Sequence, residues 1–163
     1  VKYWPFTWNE FAGLLPYDWD CVQLTTIPTG DIHVKLHLKF VNSFSAAVYL
    51  ISRHHAAKIM KNHIRGDKYK LDNGVKPRAV SEDLILESGK TYTIPLFLYN
   101  LSMGSTIHQE HIVVFHQGPH AALSNFWQQQ GASVDIKDYM DYDPYLGRTT
   151  SHSNLQEEEN PTS

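Results

Sequence analysis

The sequence predicts an all-β fold: a single antiparallel β-sandwich or jelly-roll with one short helix and a polar C-terminal tail. Two observations carry this prediction. Residues 32–40 alternate apolar and polar side chains without interruption, which is the period-two pattern of a strand with one face in a core. Several later segments also have strand character, without the recurring helical crossovers that a parallel sheet requires.

Length and composition indicate one globular domain. The 163 residues are enough to bury a sizeable core, so we assign residues 1–146 to the sandwich domain and residues 147–163 to a polar acidic tail. We expect that tail, taken alone, to be disordered. The single cysteine, Cys21, cannot form an internal disulfide and is expected to be a small buried core residue.

Bulk charge predicts association with neither nucleic acid nor membranes. The formal net charge is -3 and charged residues make up 19% of the chain, which are ordinary values for globular proteins. Binding to nucleic acid would therefore need a local basic patch. No apolar run approaches the roughly 20 residues that a membrane span requires.

The aromatic N-terminal segment contains a helix signal. Thr7 and Glu10 are spaced as a capping box, and Phe6 and Phe11 are spaced as the accompanying hydrophobic staple. We expect this segment to close one end of the sandwich. The alternative is a docking surface for another chain, because Trp and Tyr are enriched at interface hot spots.

The strand at residues 32–40 would present a cationic face. Its outward side chains recur about every 6 to 7 Å, and they are His33, Lys35, His37 and Lys39. Such a row could dock an acidic partner. The tail offers one, in the same molecule or in a second copy, at Glu157, Glu158 and Glu159. His33 and His37 would lie about 13 Å apart, too far for one metal ion.

The remaining elements follow from turns and periodicity. A strand neighbouring the first is predicted at residues 46–52, and a short helix or crossover at residues 53–64 with Gly66 as its C-terminal cap. Further strands are predicted at residues 92–98 and 107–116, with a weaker strand signal at 134–139. Pro95 removes an amide from its ladder, which favours an edge or bulge position.

A histidine-rich segment supplies candidate metal ligands. His108, Glu110 and His116 are ligand types that zinc and iron sites use, and they would share one face of a strand. In an extended strand the first and last of them lie about 26 Å apart, which argues against one site. The segment also lacks the His-x-His unit and the glycine-rich ligand segment of cupin-type enzymes. We predict no cofactor, and a metal-dependent jelly-roll enzyme is an alternative.

The sequence contains no pattern typical of nucleophilic catalysis. It has neither a Gly-x-Ser-x-Gly elbow nor a phosphate-binding loop. Asp20 stands next to Cys21, and its charge would raise the thiol pKa instead of lowering it. We therefore favour a protein without enzymatic activity.

Arg65, Gly66 and Asp67 spell the tripeptide that integrins read on a loop tip. Their basic surroundings are consistent with an exposed loop. A helix cap at Gly66 explains the same residues without any receptor. We keep the three as candidate partner-binding residues.

Two families share parts of the predicted strand order. The turn at residues 30–31, followed by residues 92–96, 112–115 and 134–136, resembles the later half of jelly-roll capsid proteins in small RNA viruses. Residues 40–43, 48–50 and 86–92 are similar to the repeating β-sandwich adaptor modules of large lipid-transfer proteins. The first resemblance implies a shell subunit, and the second implies a cellular binding module.

Together these patterns predict a non-enzymatic structural or interaction module of a larger assembly. The sequence begins without Met or a signal-peptide pattern, so we expect a segment of a longer polypeptide, foremost a processed viral capsid-type protein. A cellular adaptor module is the alternative. The expected partners are other protein subunits, including copies of the same chain, in the virion for the viral hypothesis and in the cytoplasm otherwise.

Overall fold

The computed structural model describes residues 5–28, 31–41, 43–70, 80–98, 101, 116–130 and 135–142. The fold is mixed α/β, since 40% of the described residues are helical and 17% lie in strands. The prediction of an all-β sandwich or jelly-roll is therefore wrong.

Five helices and eight short strands lie in these residues. The helices are α1 (Trp8–Gly13), α2 (Arg53–His63), α3 (Ser81–Ile85), α4 (Gln117–Gln130) and α5 (Ile136–Met140). The strands are β1 (Cys21–Gln23), β2 (Ile27–Pro28), β3 (His37–Leu38), β4 (Ser43–Phe44), β5 (Tyr49–Ile51), β6 (Ile64–Arg65), β7 (Lys68–Tyr69) and β8 (Thr91–Thr93).

A four-stranded sheet has the order β3-β8-β1-β5, and β2-β4 and β6-β7 form two small sheets. In the larger sheet β1 runs antiparallel to β5 but parallel to β8, so that Val22 pairs with Leu50 on one side and Tyr92 on the other. The sheet is thus mixed and not antiparallel. The segments predicted as neighbouring strands contain β3 and β5, which lie at opposite edges.

The strand predicted at residues 32–40 is reduced to β3. The amide of Leu36 donates to the carbonyl oxygen of Tyr139 at 2.7 Å, and so bonds to the chain at α5 instead of to a neighbouring strand. His37 Nδ1 lies 2.7 Å from the carbonyl oxygen of Lys35, a local bond that an extended strand does not make. Leu36 and His37 are both buried. Packing against α5 overrides the alternating pattern here.

The predicted N-terminal helix is confirmed as α1. The Thr7 hydroxyl accepts from the Glu10 amide at 3.2 Å, and the Glu10 carboxylate accepts from the Thr7 amide at 2.7 Å, which completes the capping box. Phe11 is fully buried and stacks on Phe6 with 6.0 Å between ring centroids, as the staple predicts.

Two helices follow or replace segments predicted as strand. α4 begins directly after His116, and its Leu123 and Trp127, four residues apart, are both buried. α5 replaces the weak strand at 134–139, because Asp135 caps a helix by accepting from the Lys137 amide at 3.0 Å. The rest of the strand predicted at 107–116 lies outside the described residues. No described helix is long and apolar enough to cross a membrane.

The hydrophobic core joins α1, the four-stranded sheet, α4 and α5. Its buried members are Phe11, Val22, Leu24, Leu36, Tyr92, Ile94, Leu96, Trp127, Ile136 and Met140. The Trp127 indole N–H donates to the carbonyl oxygen of Pro95 at 2.8 Å, which fixes α4 to the segment after β8.

Pro95 interrupts the pairing that follows β8. The Ile94 amide donates to the carbonyl oxygen of Gln23 at 3.0 Å, and the next bond to this side comes from Phe97 to Leu24 at 2.9 Å. Two residues, Pro95 and Leu96, therefore lie between these two bonds. Pro95 lies beyond β8, which ends at Thr93, so the prediction that placed it within a strand at residues 92–98 is wrong.

A buried polar network links the four-stranded sheet to β4. The Gln23 amide nitrogen donates to the carbonyl oxygens of Phe44 and Ser45 at 3.1 and 2.7 Å. Its oxygen accepts from the hydroxyls of Ser43 and Thr93 at 3.2 and 2.8 Å. All four hydrogen bonds of the Gln23 amide are thus made, so this buried side chain is tolerated in the interior.

Candidate functional site

The predicted cationic row does not form a cationic face. His37 is only 3% exposed, and the Lys39 side chain is 7% exposed and lies 3.6 Å from the Glu87 carboxylate. The rings of His33 and His37 are 5.6 Å apart between centroids, not about 13 Å, because the chain is not extended between them. Of the four side chains, Lys35 alone is exposed. The predicted strand face of four outward cations is therefore not formed, and partner binding by these residues stays a prediction.

Burial also keeps His37 neutral. It lowers the pKa of the imidazole to about 4, with a smaller contribution from the neighbouring His33, while the hydrogen bond to the Lys35 carbonyl acts in the opposite direction. The ring stacks on Phe40 with 4.6 Å between centroids. His37 is thus a core residue at neutral pH.

Lys35 instead lines an open groove of about 790 Å³ beside α5. Leu14, Phe126 and Tyr139 supply apolar walls, and the charged lining residues are two lysines and two aspartates. The groove therefore has no charge of one sign to select a partner.

The exposed cations concentrate instead in residues 53–70, which we call the basic arm. It comprises α2 and the β6–β7 hairpin that follows it directly. The arm contains six Lys and Arg and one Asp, a formal net charge of +5. Since the whole chain carries -3, the remaining residues carry -8. The near-neutral bulk charge conceals this separation.

The cations of α2 share one face of the helix. At 100° per residue, Arg53, Lys58 and Lys61 fall within about 140° of one another, and all three are exposed. His55 and His63 lie on the opposite side and are buried. In the described part of the chain no carboxylate pairs with these three cations. Within the described residues, the charge of these three cations is therefore not offset by a neighbouring carboxylate.

The hairpin displays the Arg65-Gly66-Asp67 tripeptide. Arg65 pairs with Lys68 across a two-residue turn, and Gly66 has a φ of +65°, a conformation that favours glycine. All three residues of the tripeptide are exposed. The helix predicted at 53–64 is confirmed, but its predicted cap is wrong: α2 ends at His63 with Ile64 as the cap.

His63 attaches the hairpin to the end of α2. Its carbonyl oxygen accepts from the Lys70 amide at 2.8 Å, and its ring Nδ1 lies 2.8 Å from the Lys70 carbonyl oxygen. The second contact requires the ring to donate from Nδ1. No sequence pattern singles out His63, because its partner is set by the hairpin register.

His55 attaches α2 to the rest of the fold. The ring is fully buried, with Nε2 at 3.2 Å from both the Ile85 carbonyl oxygen and the Ser88 hydroxyl. Its Nδ1 lies 4.0 Å from an Asp20 carboxylate oxygen and has no hydrogen-bond partner among the described residues. Sequence patterns miss this cluster, because its members come from three separate segments.

The cluster has the residue types of a Ser-His-Asp triad but a different hydrogen-bond order. The Ser88 hydroxyl donates its single proton to the carbonyl oxygen of Leu84, so its oxygen is an acceptor for the His55 ring. The ring proton then lies on Nε2, the nitrogen that a triad needs unprotonated to deprotonate the serine. The Asp20 carboxylate is beyond hydrogen-bond range of Nδ1. The arrangement anchors α2 and does not activate Ser88.

Cys21 is confirmed as a buried residue. Its thiol donates to the Ile85 carbonyl oxygen at 3.2 Å. Burial raises the pKa of the thiol to about 11, and the adjacent Asp20 charge adds to the increase. A thiol of this kind is a poor nucleophile at neutral pH.

The candidate metal ligands fall mostly outside the described residues. His108 and Glu110 are among those outside, and His116 is described at the start of α4. In the part of the chain that the structure does describe, no three His, Cys, Asp or Glu side chains are grouped to hold a metal ion. The acidic segment Glu157, Glu158 and Glu159 likewise lies outside the described residues.

Comparison with known proteins found no matching family model, no matching curated protein and no matching solved structure. The case for a function therefore depends on the residues of this chain.

Proposed function

We propose that the chain is a non-enzymatic interaction module that assembles with other protein subunits through its basic arm. The separation of charge carries this proposal: the arm has a net charge of +5 and the remaining residues have -8. The arm of one copy is therefore complementary to the rest of a second copy. Such a contact pairs two different surfaces and builds rings or open chains of subunits.

Exposed apolar side chains on the arm support this role. Met60, Ile64 and Tyr69 are 54%, 38% and 70% exposed, and they stand among the arm's cations. A surface that combines charge for orientation with apolar area for affinity is typical of protein interfaces. The arm is also held in a defined shape by His55 and His63, so that binding need not order it.

The capsid-type assignment is a narrower hypothesis within this proposal. The jelly-roll strand order that favoured it is not the order of this fold, so the remaining support is the expectation of an assembling subunit. The adaptor hypothesis also loses its structural support, because this fold is not a β-sandwich. Both stay predictions, and subunit assembly is what they share.

Light scattering of the purified chain at micromolar concentration tests the assembly. We expect oligomers in about 0.05 M salt that dissociate in about 1 M salt, because the Debye length falls to roughly 3 Å. An exposed ion pair contributes about 0.2 to 1 kcal/mol, so reversing two lysines with K58E and K61E should weaken association about ten-fold. The same change in charge at Lys35 and Lys137, which are exposed outside the arm, is the matched control. A monomer at every salt concentration and pH would contradict the proposal.

The displayed tripeptide favours a second function, cell adhesion through an integrin-type receptor. The observation behind it is the exposure of Arg65, Gly66 and Asp67 at a hairpin turn. Asp67→Glu should abolish cell adhesion to the immobilised protein, because it moves the carboxylate by one methylene. Asp138→Glu, at an exposed position on α5, is the control. Normal adhesion by the Asp67 variant, or none by the wild type, would exclude this function.

A further inference from the structure

The first turn of α2 has the wrong charge for a helix start. Helix N-termini favour acidic side chains, because the helix dipole places partial positive charge there. α2 begins with Arg53 and His54 and has no acidic residue in its first turn. Lys58 and Lys61 are also like charges three residues apart, which destabilises a helix slightly. Ser52 caps the N-terminal end of α2 by accepting from the His55 amide at 3.1 Å, but no acidic side chain of the first turn offsets the charge of Arg53. A charge pattern that is unfavourable to the start of the helix points to a function for these cations.

The spacing of these cations fits a row of phosphates. Arg53 and Lys61 are eight residues apart, which is about 12 Å along the helix, and Lys58 lies between them. At about 3.4 Å per nucleotide of a stacked strand, this length matches three to four phosphates. Arg65 and Lys68 extend the exposed basic surface onto the hairpin.

The arm also offers an aromatic ring for stacking. Tyr69 on β7 is 70% exposed, although a tyrosine ring is largely apolar. Bases of single strands stack on such rings beside a basic groove, irrespective of sequence. Bases paired within a duplex are not available for this contact.

We propose that the basic arm binds single-stranded nucleic acid, with phosphates on the Arg53, Lys58 and Lys61 face and a base stacked on Tyr69. This binding goes beyond subunit assembly, which needs only acidic side chains as the partner. It supplies the local basic patch that the near-neutral net charge of the chain does not. The arm must be exposed both for subunit assembly and for nucleic-acid binding, but a separate experiment measures each of these contacts.

Fluorescence anisotropy with a labelled oligothymidylate of about 15 nucleotides tests the binding. With three to five phosphate contacts, the slope of log K against log salt should be about -2 to -3.5, a loss of about 20- to 130-fold in affinity between about 50 and 200 mM salt. Combining K58E and K61E should make the slope shallower by at least about 1.4. The matched exchange at Lys35 and Lys137 should leave it unchanged.

Tyr69 separates stacking from simple charge attraction. Tyr69→Ala should weaken binding by about five-fold or more, whereas Tyr69→Phe, which keeps the ring, should bind like the wild type. The exposed position of Tyr69 makes both variants compatible with folding.

Three results would overturn the proposal. They are no anisotropy change at about 100 µM protein in low salt, equal binding by the alanine and phenylalanine variants, and equal displacement of the probe by polyglutamate of matched charge. The last result would identify an acidic protein as the partner. Light scattering of the same samples without oligonucleotide reports on subunit assembly, so that either contact can fail alone.

Discussion

His37 shows how a single residue departs from its sequence pattern. In the alternation of residues 32–40 it stands among outward positions, yet its ring is buried against Phe40. Histidine has an apolar ring face and one nitrogen that a local carbonyl can satisfy, here that of Lys35. Period-two patterns treat it as polar and so place it outside.

The burial of His37 predicts a specific acid sensitivity. An unfolded histidine has a pKa near 6.5, whereas in the folded protein the pKa is lowered to about 4. Between these values the unfolded chain binds more protons, so the free energy of unfolding is highest above about pH 6.5 and falls as the pH decreases toward 4. The loss from this residue is about 3 kcal/mol in total.

Urea denaturation between about pH 7 and pH 4 measures this loss. His37→Asn keeps a donor for the Lys35 carbonyl and does not titrate, so its free energy of unfolding should fall less steeply with acid than that of the wild type. Parallel curves for the two proteins would show that His37 is not held neutral by burial.

Local signals placed two of the helices, and elements set by tertiary contacts were not predictable. The Thr7 and Glu10 box placed α1, and apolar periodicity placed α2. The Asp135 cap and the Leu123 and Trp127 spacing could have indicated α5 and α4, but strand character in the preceding residues outweighed them. β1 was missed because three residues carry no pattern, and its parallel pairing with β8 joins residues about 70 apart in the sequence.

The candidate site likewise contains some residues that the sequence can predict and others that it cannot. Its exposed cations and the tripeptide can be read from the sequence, because local composition places them. The anchors at His55 and His63 cannot, because their partners depend on the three-dimensional arrangement of α3 and β7.

The packing of His55, which anchors α2, predicts that a substitution at Gly89, outside the arm, lowers the stability of the fold. A Cβ at Gly89 would lie 2.5 Å from His55 Cε1 and 2.8 Å from Asp20 Cβ, which is too close for real contacts. Gly89→Ala should destabilise the fold by about 1 to 3 kcal/mol, because the buried His55 ring must move.

Thermal or urea unfolding checks this expectation against a control glycine. A Cβ added at Gly13, at the end of α1, would have nothing within 4 Å, so Gly13→Ala should be neutral or slightly stabilising. Equal stability of the two variants would contradict the close packing of Gly89 on His55.

At the scale of the whole molecule, the chain is a small mixed α/β fold with its charges separated. The basic arm is attached to the rest of the fold through the buried His55 ring, and the remaining residues carry the opposite net charge. Docking of an acidic segment on a cationic surface stays a prediction, and the exposed cations of the described residues concentrate in residues 53–70 and not in residues 32–40.

An arm-to-body contact makes a distinctive prediction about mixtures. A chain carrying K58E and K61E has an arm with a net charge of +1 in place of +5, while its remaining residues keep their net charge of -8. Such a chain should therefore cap a growing assembly of wild-type chains, as expected for contacts between two different surfaces.

Light scattering of wild-type protein mixed with increasing amounts of this variant is the most direct test. We predict that mean oligomer size falls as the variant is added, and that the variant with Glu at Lys35 and Lys137 does not have this effect. Oligomers of unchanged size in the presence of excess arm variant would contradict assembly through the basic arm.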